Sequence, residues 1–390
     1  MSRAVLRVAF VLALLGGLLA QSPGPAHAAF SDVPSSHWAK TAIDYVASTN
    51  PWMNEYGTTL FKPEVQESKR RFAMHIVKAF DPNGTTDPSI TFPDVPTTDP
   101  YHHYINIAVK HGWMTVQADG KFKPVNAMST NMVHRGLVIA LGLQAEVDGL
   151  IAIHMDGGLV APDTPIAVNA GRFPYMVLGM QLGLRFNHAT EAEDVLPTTV
   201  LTRDEVAYSL WKAKIVSSWT LGGLAVYRDI ELPALSDQVL DMAEFGFNYV
   251  GYPYIWAGEW HVKSPGGYCC GTQTQGGFDC SGLMWWLLKK PAGGYDNTSI
   301  RGYTGWSLPE RSSAAMAAAA PAKLTYAQTQ PGDLMFQDDN AKPGVVSHVN
   351  VYLGNGWALD GSSGRGGVSV IKVDSGWYYD HFMWSRRLVP

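Results

Sequence analysis

The sequence predicts a multidomain chain, in which an all-α repeat domain precedes an α+β domain with an antiparallel sheet. Two short motifs recur in the same order in the N-terminal half, at intervals of 62 and 61 residues. In the C-terminal part, the pattern changes to short β-rich runs that are bounded by Gly, Pro or Asn turns. The chain has 390 residues, of which 46% are hydrophobic, so it can fill more than one core.

Residues 1–28 have the layout of an export signal peptide, which is removed from a mature protein. Two arginines precede an apolar run from Val8 to Ala20, and a Pro/Gly stretch then ends in Ala26-His27-Ala28. The apolar run is too short to span a bilayer comfortably. We therefore predict a secreted protein with no membrane span in the mature chain.

Charge and cysteine content exclude several function classes. The formal net charge is −5, and it becomes −7 without the two arginines of the signal peptide, so the chain lacks the basic character that nucleic acids require. Its three cysteines are Cys269, Cys270 and Cys280, and the odd number leaves at least one thiol unpaired within the chain. No Cys-x-x-Cys pair accompanies a spaced histidine pair, so no metal site is predicted.

The recurring motifs define the repeat domain. They are Phe30-Ser31-Asp32-Val33-Pro34 with Phe92-Pro93-Asp94-Val95-Pro96, and Phe61-Lys62-Pro63 with Phe122-Lys123-Pro124. Such a period indicates one supersecondary unit used repeatedly, here a turn, a helix, a loop and a second helix. We predict three units, at about residues 29–85, 90–143 and 144–215. The third has only the helical pattern, and one of its helices opens with a capping box from Thr202 to Glu205.

Residues 29–215 resemble three surface-layer-homology repeats, because Thr202-Arg203-Asp204-Glu205 also matches that family's Thr-Arg-Ala-Glu signature. The resemblance implies a pseudo-threefold domain that holds exported proteins to secondary cell-wall polysaccharide. It implies that Arg203 contacts an anionic wall polymer. The first unit has Ser68-Lys69-Arg70-Arg71 instead, which makes Lys69 the second candidate, and the second unit departs further with Ser129-Thr130-Asn131-Met132.

A mixed stretch with Gly222-Gly223 breaks the helical periodicity, so we predict a linker over residues 216–235 and a second domain over residues 236–390. Ser236 is placed to cap the first helix of that domain. Three β-rich runs are typical of antiparallel strands: Leu334-Met335-Phe336, Val349 to Leu353, and Val368 to Ile371.

The most informative stretch is Gly277-Phe278-Asp279-Cys280-Ser281-Gly282-Leu283, which an apolar run of five residues follows. It places Cys280 at the first turn of a buried helix. The positive end of the helix dipole and unpaired backbone N–H groups favour a thiolate there, so Cys280 is a candidate nucleophile. On these residues alone, a buried cysteine packed as a small hydrophobe is the alternative.

A cysteine nucleophile needs a base that another element brings close. His348 begins a predicted strand, and period-two alternation places it on one polar face with Asn350 and Tyr352. The turn Gly354-Asn355-Gly356 closes a hairpin, whose returning strand carries Asp360 as an acceptor that orients the imidazole. Taken alone, His348 also fits an ordinary surface or core histidine, and Asp360 fits a turn aspartate.

Four ordered motifs resemble those of the NlpC/P60 peptidases: Tyr254-Ile255-Trp256-Ala257-Gly258, Asp279-Cys280-Ser281-Gly282-Leu283, Pro331-Gly332-Asp333-Leu334, and Ser347-His348-Val349 with Tyr352 to Gly356. The resemblance covers roughly residues 236–390. It implies a papain-like α+β core that hydrolyses stem peptides of peptidoglycan, typically after γ-D-glutamate. Ala257 stands where the family's Tyr-x-Trp-Gly-Gly motif has its first glycine.

The resemblance also implies a role for each matching residue. Cys280 matches the nucleophile and His348 the base, whereas Asp360 occupies the third polar position, where the family more often has His, Asn or Gln. Tyr254 matches the tyrosine that holds the oxyanion or the substrate. The implied mechanism is thiolate attack, formation of a thioester and hydrolysis, and it needs no metal or organic cofactor.

Asp279 and Ser281 match positions that line the substrate groove, where a carboxylate can pair with an amine of the stem peptide. The implied protein is an exported endopeptidase that is associated with the cell wall. One alternative is a catalytically silent wall-binding protein, which the presence of Cys280, His348 and Tyr254 disfavours. The other is an amidase of the CHAP type, which the Asp-Cys-Ser-Gly-Leu context disfavours.

The chain departs from the family pattern over Glu259 to Gly277, a glycine-rich insertion where the family has a short link. It predicts a lid or a substrate rim, or else a tolerated surface insertion. Cys269 or Cys270 either bonds Cys280 as a redox lock, or the two bond each other and leave Cys280 free. We favour a free Cys280.

Overall fold

A computed structural model describes residues 30–156, 164–264, 272–288 and 308–388. The predicted signal peptide and the pair Cys269 and Cys270 lie outside the described residues. Across the described part of the chain, none of the helices combines the length and the apolar character needed to cross a membrane.

The N-terminal domain consists mainly of short helices. The first, α1, continues directly into a π-helical turn over Asp44–Thr49. The helices are α1 Lys40–Ile43, α2 Lys69–Phe80, α3 His102–Lys110, α4 Thr130–Ala140, α5 Gln144–Ile151, α6 Phe173–Gln181 and α7 Arg203–Ile215.

The two repeated motifs bind each other in the same way in both units. The Asp32 carboxylate accepts hydrogen bonds from the backbone N–H groups of Phe61 and Lys62 at 2.9 and 2.7 Å. Asp94 does the same for residues 122 and 123 at 2.9 and 2.8 Å. Lys62 and Lys123 both adopt a left-handed backbone, with φ of 61° and 59°. The motifs recur together because the aspartate satisfies the N–H groups of that strained loop.

A ring of three backbone hydrogen bonds joins the three predicted units. The N–H of Glu67 donates to the carbonyl of Leu201, that of Leu201 to Met128, and that of Met128 to Glu67, at 2.8 to 2.9 Å. Each of these residues shortly precedes the second helix of a predicted unit. The ring ties together the segments that precede α2, α4 and α7.

The prediction that this domain is all-α is not confirmed. Two short strands, β1 His154–Met155 and β2 Thr164–Pro165, form a sheet with β3 Glu231–Leu232. The predicted linker is also folded, since it contains α8 Ser218–Gly223 and buried apolar residues that include Leu224 and Tyr227. Hydrophobic residues at irregular spacing pack residues 216–235 against the rest of the protein, so the mixed pattern of this stretch does not indicate an exposed linker.

The predicted capping box of α7 is wrong. The Thr202 side chain makes no cap hydrogen bond and donates instead to Asp204 Oδ1. Glu205 turns away to His188, with its Oε1 2.6 Å from the imidazole Nε2.

The C-terminal domain is an α+β fold around an antiparallel sheet with the strand order β10-β6-β7-β8-β9. Its strands confirm the three predicted runs and the predicted returning strand of the hairpin, and they add β10: β6 Leu334–Gln337, β7 His348–Gly354, β8 Trp357–Ser362, β9 Gly367–Lys372 and β10 Phe382–Arg386. The remaining elements are α9 Asp237–Phe247, β4 Glu259–Trp260, β5 Gly277–Phe278, α10 Cys280–Leu288, α11 Ser313–Ala318 and α12 Gly376–Asp380. Ser236 caps α9 as predicted, accepting from the N–H of Val239.

The sheet is covered on both faces. Val349, Val351 and Leu353 of β7 pack in the core that includes α10. The opposite face, which carries His348 and Asn350, packs against Tyr378 of α12 in a smaller cluster, and Asn350 is fully buried. The face predicted to be polar and functional is therefore partly internal. The ends of the insertion pair as β4 and β5, whereas its tip, residues 265–271, lies outside the described residues.

Candidate active site

Cys280 is the first residue of α10 and lies 7% exposed, as a free thiol. All nine residues of this helix are buried, so the apolar run fixes the nucleophile on a rigid element. Gly282 explains the glycine of the motif, because a Cβ there would lie 1.8 Å from the carbonyl oxygen of Gly258. Only a glycine lets the helix start approach that neighbouring loop so closely.

The structure brings Cys280, His348 and Asp360 together. His348 opens β7, and its Nε2 lies 2.6 Å from Oδ1 of Asp360 on the neighbouring strand β8. The Cys280 side chain is in hydrogen-bonding reach of the same imidazole. Since Nε2 faces Asp360, Nδ1 is the nitrogen left for the sulfur. The arrangement is that of a nucleophile, a base and a group that orients the base.

Tyr378 is a fourth member of this group that the sequence analysis missed. Its hydroxyl donates to Oδ2 of Asp360 at 2.7 Å, so both carboxylate oxygens of this buried aspartate are engaged. Tyr378 lies on α12, a five-residue helix, in the aromatic run Trp377-Tyr378-Tyr379. Three adjacent aromatic residues indicate that part of this run is buried against the rest of the domain. The sequence did not indicate that Asp360 is the residue it contacts.

The carboxylate changes the acid–base properties of the base. Burial by itself lowers the pKa of His348, but the charge and hydrogen bond of Asp360 and the adjacent Cys280 outweigh it. The pKa of His348 therefore lies well above its usual value, and the imidazole holds a proton at neutral pH.

Tyr254 lies beside the nucleophile, on a segment that bridges to Phe278 just before the Cys280 motif. Burial raises the pKa of Tyr254, and the acidic groups of Cys280, Asp279 and other neighbours raise it further. The hydroxyl thus stays protonated and remains a hydrogen-bond donor. Three residues on, Ala257 has φ of 60°, a left-handed conformation that explains why the related motif has glycine at this point.

Asp279 and Ser281 are both buried, and they bind an arginine that the sequence analysis missed. Arg311 donates to Oδ1 and Oδ2 of Asp279 at 3.1 and 3.2 Å and to Oγ of Ser281 at 2.9 Å. It also pairs with Glu259 and donates to the carbonyl of Gly258. The Asp279 carboxylate is therefore already paired, which differs from the free carboxylate that the sequence suggested.

Two cavities of about 430 Å³ each meet at the nucleophile. Tyr254, Cys280 and Ser347 line both of them. One extends along the hairpin side and is further lined by Asp339, His348, Ser362, Ser363, Gly364, Arg365, Trp377 and Tyr378. The other extends along the Arg311 side and is further lined by Trp256, Ala257, Asp279, Ser281, Arg311, Ser312, Ser313 and Ala315. Together they form a cleft that admits an extended chain across Cys280.

The two candidate polymer-binding residues do not lie on the surface. Arg203 is fully buried, and it donates to the carbonyls of Phe61 and Met53 at 2.9 and 3.2 Å and pairs with Glu55. Lys69 is 5% exposed and donates to the carbonyls of Thr115 and Phe122. Both cations bind the loop of the next unit, which corrects the expectation that they face a wall polymer. Burial lowers the pKa of Lys69 to about 8.

One cluster in the repeat domain has the composition of a metal site. Ligand atoms of His37, Glu64 and Asp204 lie within 4.8 Å of one another, in a groove of about 660 Å³. However, Nδ1 of His37 accepts a hydrogen bond from the N–H of Ala39 at 3.1 Å. The neutral ring then carries its proton on Nε2, the nitrogen that faces Asp204 at 3.6 Å. The cluster is therefore not preorganised for a cation.

Comparison with known families agrees with both halves of this structure. Residues 251–387 match the NlpC/P60 family, and residues 29–66 and 91–129 match the S-layer homology domain. The C-terminal domain therefore matches the NlpC/P60 family. The candidate catalytic residues all lie inside this matched range.

Two curated relatives are peptidases by name. The bifunctional muramidase/DL-endopeptidase CwlT of Bacillus subtilis is 27% identical over 140 residues, which make up 36% of this chain and 33% of the relative. The gamma-D-glutamyl-L-lysine dipeptidyl-peptidase of Bacillus cereus is 25% identical over 196 residues, 49% of each chain. The chain thus spans half or less of the length of these relatives.

Two solved structures of NlpC/P60 proteins are among those similar to this chain. An NlpC/P60 family protein from Bacillus cereus is 25% identical, with a TM-score of 0.30 over 41% of each chain. RipD from Mycobacterium tuberculosis, described as a non-catalytic NlpC/p60 domain protein, is 24% identical, with a TM-score of 0.27 over 40% of this chain and all of RipD.

Proposed function

We propose that the protein is an exported cysteine endopeptidase, associated with the cell wall, which hydrolyses peptidoglycan stem peptides at the γ-D-glutamyl bond to the diamino acid. The observation that carries the proposal is the constellation of Cys280, His348 and Asp360 at the floor of a cleft that is open on both sides of the sulfur. The relatives named as a muramidase/DL-endopeptidase and as a gamma-D-glutamyl-L-lysine dipeptidyl-peptidase support the substrate class.

The reaction is acyl transfer to sulfur. The imidazolium form of His348, which Asp360 stabilises, leaves Cys280 as a thiolate that attacks the scissile carbonyl. The Tyr254 hydroxyl and the backbone N–H of Cys280 stabilise the tetrahedral oxyanion. His348 donates its proton to the leaving amine, a thioester forms, and His348 then takes a proton from the water that hydrolyses it. His348 therefore carries out both proton transfers.

The repeat domain supplies the wall association in this proposal. Since Arg203 and Lys69 are buried, the polymer contacts have to come from other residues. The groove bordered by Trp38, His37 and Asp204 offers an aromatic face next to polar groups, the combination that suits a sugar. Pull-down of the full-length mature chain with wall sacculi tests this, and binding that survives removal of the wall polysaccharide would contradict it.

One experiment tests the peptidase activity against its alternatives. Purified mature protein and Cys280→Ala are incubated with defined muropeptides, and the products are identified by mass. Cleavage within the stem that is absent from the variant is the expected result. Release of the whole stem from the sugar would indicate an amidase of the CHAP type. If the substrate stays intact with both proteins, the result would support the alternative of a catalytically silent wall-binding protein.

A further inference from the structure

A short segment of the repeat domain reaches the edge of the catalytic cleft. It follows α6 and includes Arg185, which is 8% exposed and holds the catalytic domain through its guanidinium. Nη1 donates to the carbonyl of Gly251 at 2.8 Å, and Nη2 donates to that of Gly366. The Gly366 carbonyl also accepts the backbone N–H of Tyr254 at 3.0 Å. The arginine thus binds both the start of the Tyr254 segment and the acceptor of Tyr254 itself.

Glu191 makes the second link, at the other end of the same segment. Its Oε1 accepts the backbone N–H of Trp256 at 2.6 Å. Its carbonyl accepts a hydrogen bond from the side chain of Gln275, shortly before the Cys280 motif. The Trp256 side chain is 76% exposed and lines the cavity on the Arg311 side. Glu191 therefore connects the Tyr254 segment with the residues that lead into Cys280.

The Tyr254 segment depends on such outside contacts. Residues 251–257 form turns and isolated bridges, not a helix or a multi-residue strand. A segment of this kind has backbone groups that neighbouring elements must satisfy, and its position is only as definite as those contacts. The Glu191 carboxylate is also among the groups that, after burial itself, raise the pKa of Tyr254.

We propose that Arg185 and Glu191 are positioning residues for Tyr254, so that the repeat domain is needed for turnover as well as for wall association. This inference rests on the proposed peptidase function. The two residues touch neither the sulfur nor the imidazole in the structure, so they act through the backbone of residues 251–257. A displacement of about 1 Å in a catalytic group is enough to cost on the order of a hundredfold in rate.

The test compares Glu191→Ala and Glu191→Gln in the full mature chain, with kcat and KM measured on a muropeptide that contains the γ-D-glutamyl bond. Alanine removes the acceptor of the Trp256 N–H, whereas glutamine retains an acceptor oxygen. We expect kcat to fall about tenfold or more in Glu191→Ala and to stay within about threefold of wild type in Glu191→Gln. Alkylation of Cys280 by iodoacetamide should keep its rate, because the Cys280 and His348 pair is untouched.

Glu193→Gln is the matched control. It lies in the same short turn, its side chain is 63% exposed, and it faces His188. Its kcat should equal that of wild type. Arg185→Lys, which retains one donor, should lose less activity than Arg185→Ala. Circular dichroism and thermal melting separate loss of position from loss of fold in each variant.

A double-mutant cycle with Tyr254→Phe decides whether Glu191 acts through Tyr254. If it does, Glu191→Ala should cost much less in the Tyr254→Phe background than in wild type. Equal costs in both backgrounds, or an unchanged kcat in Glu191→Ala, would overturn the inference.

Hydrogen exchange distinguishes failure of this inference from failure of the proposed function. The Trp256 and Tyr254 amides should exchange faster in Glu191→Ala than in wild type, whether or not the protein cleaves muropeptides. If the wild type does not cleave muropeptides but the Trp256 and Tyr254 amides exchange faster in Glu191→Ala, only the peptidase proposal is contradicted. Unchanged exchange of residues 251–257 contradicts the positioning role, whatever the activity.

Discussion

Asp360 sets the properties of His348 at the scale of single residues. Its Oδ1 is hydrogen-bonded to the His348 imidazole, and its Oδ2 accepts a hydrogen bond from the Tyr378 hydroxyl. It is 1% exposed, so little water competes for either oxygen. The orientation of the base and its charge both depend on this one side chain.

Asp360→Asn is expected to lower kcat/KM at least tenfold and to change its pH dependence. The raised pKa of His348 extends the pH range over which the imidazolium form persists in wild type. Without the negative charge the pKa of His348 falls, so the alkaline limb of the rate profile should move to lower pH. Rates on a muropeptide across the alkaline range measure this, and a limb that stays in place would contradict the role of Asp360.

Tyr378→Phe removes one hydrogen bond to Asp360 and leaves the aromatic packing intact. A net hydrogen bond of about 1 kcal/mol corresponds to a loss of roughly fivefold in kcat/KM. Tyr379→Phe is the control, because the neighbouring Tyr379 is 50% exposed and points elsewhere. Equal activity of the two variants would show that the Tyr378 hydroxyl is not needed.

At the scale of elements, the repeat units depend on a carboxylate that caps a strained loop. Asp94 accepts both N–H groups of the second Phe-Lys-Pro loop, and Asp32 serves the first loop in the same way. The left-handed lysine of each loop is tolerated because the surrounding contacts hold it there.

Asp94→Ala is expected to destabilise the protein by roughly 1–3 kcal/mol, since it leaves two backbone donors without their acceptor. Asp119→Ala is a suitable control, because that exposed aspartate accepts one bond from the nearby Lys121 N–H. Urea denaturation of both variants gives the comparison. A loss no larger than that of the control would contradict the capping role.

At the scale of the whole molecule, a buried charged cluster closes the repeat domain. Arg203 of the third unit meets Glu55, Glu67 and His75 of the first, with His75 3.1 Å from Glu55 and 3.3 Å from Glu67. Burial alone lowers the pKa of His75, but the two carboxylates outweigh it and raise the pKa above its usual value. The cluster therefore joins the first and last units of the ring.

This raised pKa predicts how stability depends on pH. The stabilisation is complete below the unfolded pKa of about 6.5 and is lost as pH rises through the higher folded pKa. His75→Gln should remove that dependence. We expect the difference in unfolding free energy between wild type and His75→Gln to shrink as the pH rises above about 6.5. A difference that is independent of pH would mean that His75 is neutral in the folded protein.

The contacts between domains also belong to this scale. The apolar core runs continuously from the repeat helices into the sheet domain, and Tyr227 of the predicted linker donates to the carbonyl of Val370 on the edge strand β9. Glu191 of the repeat domain also accepts a hydrogen bond from the backbone N–H of Trp256, and Trp256 lines the catalytic cleft.

The sequence by itself determined the domain order, the α+β class of the second domain and the candidate set Cys280, His348 and Asp360. These follow from patterns that are readable along the chain: the period of the apolar residues, the repeat interval, the short motifs and the turn Gly354-Asn355-Gly356.

Only the tertiary structure decided that Arg203 and Lys69 point inward, that Asp279 is paired with Arg311, and that Tyr378 and Glu191 border the site. Each of these facts depends on a contact between residues at least 18 positions apart. Sequence periodicity tells which side of an element is apolar, but the partner of a buried charge is chosen by how distant elements pack, because an unpaired charge in the interior is too costly to remain.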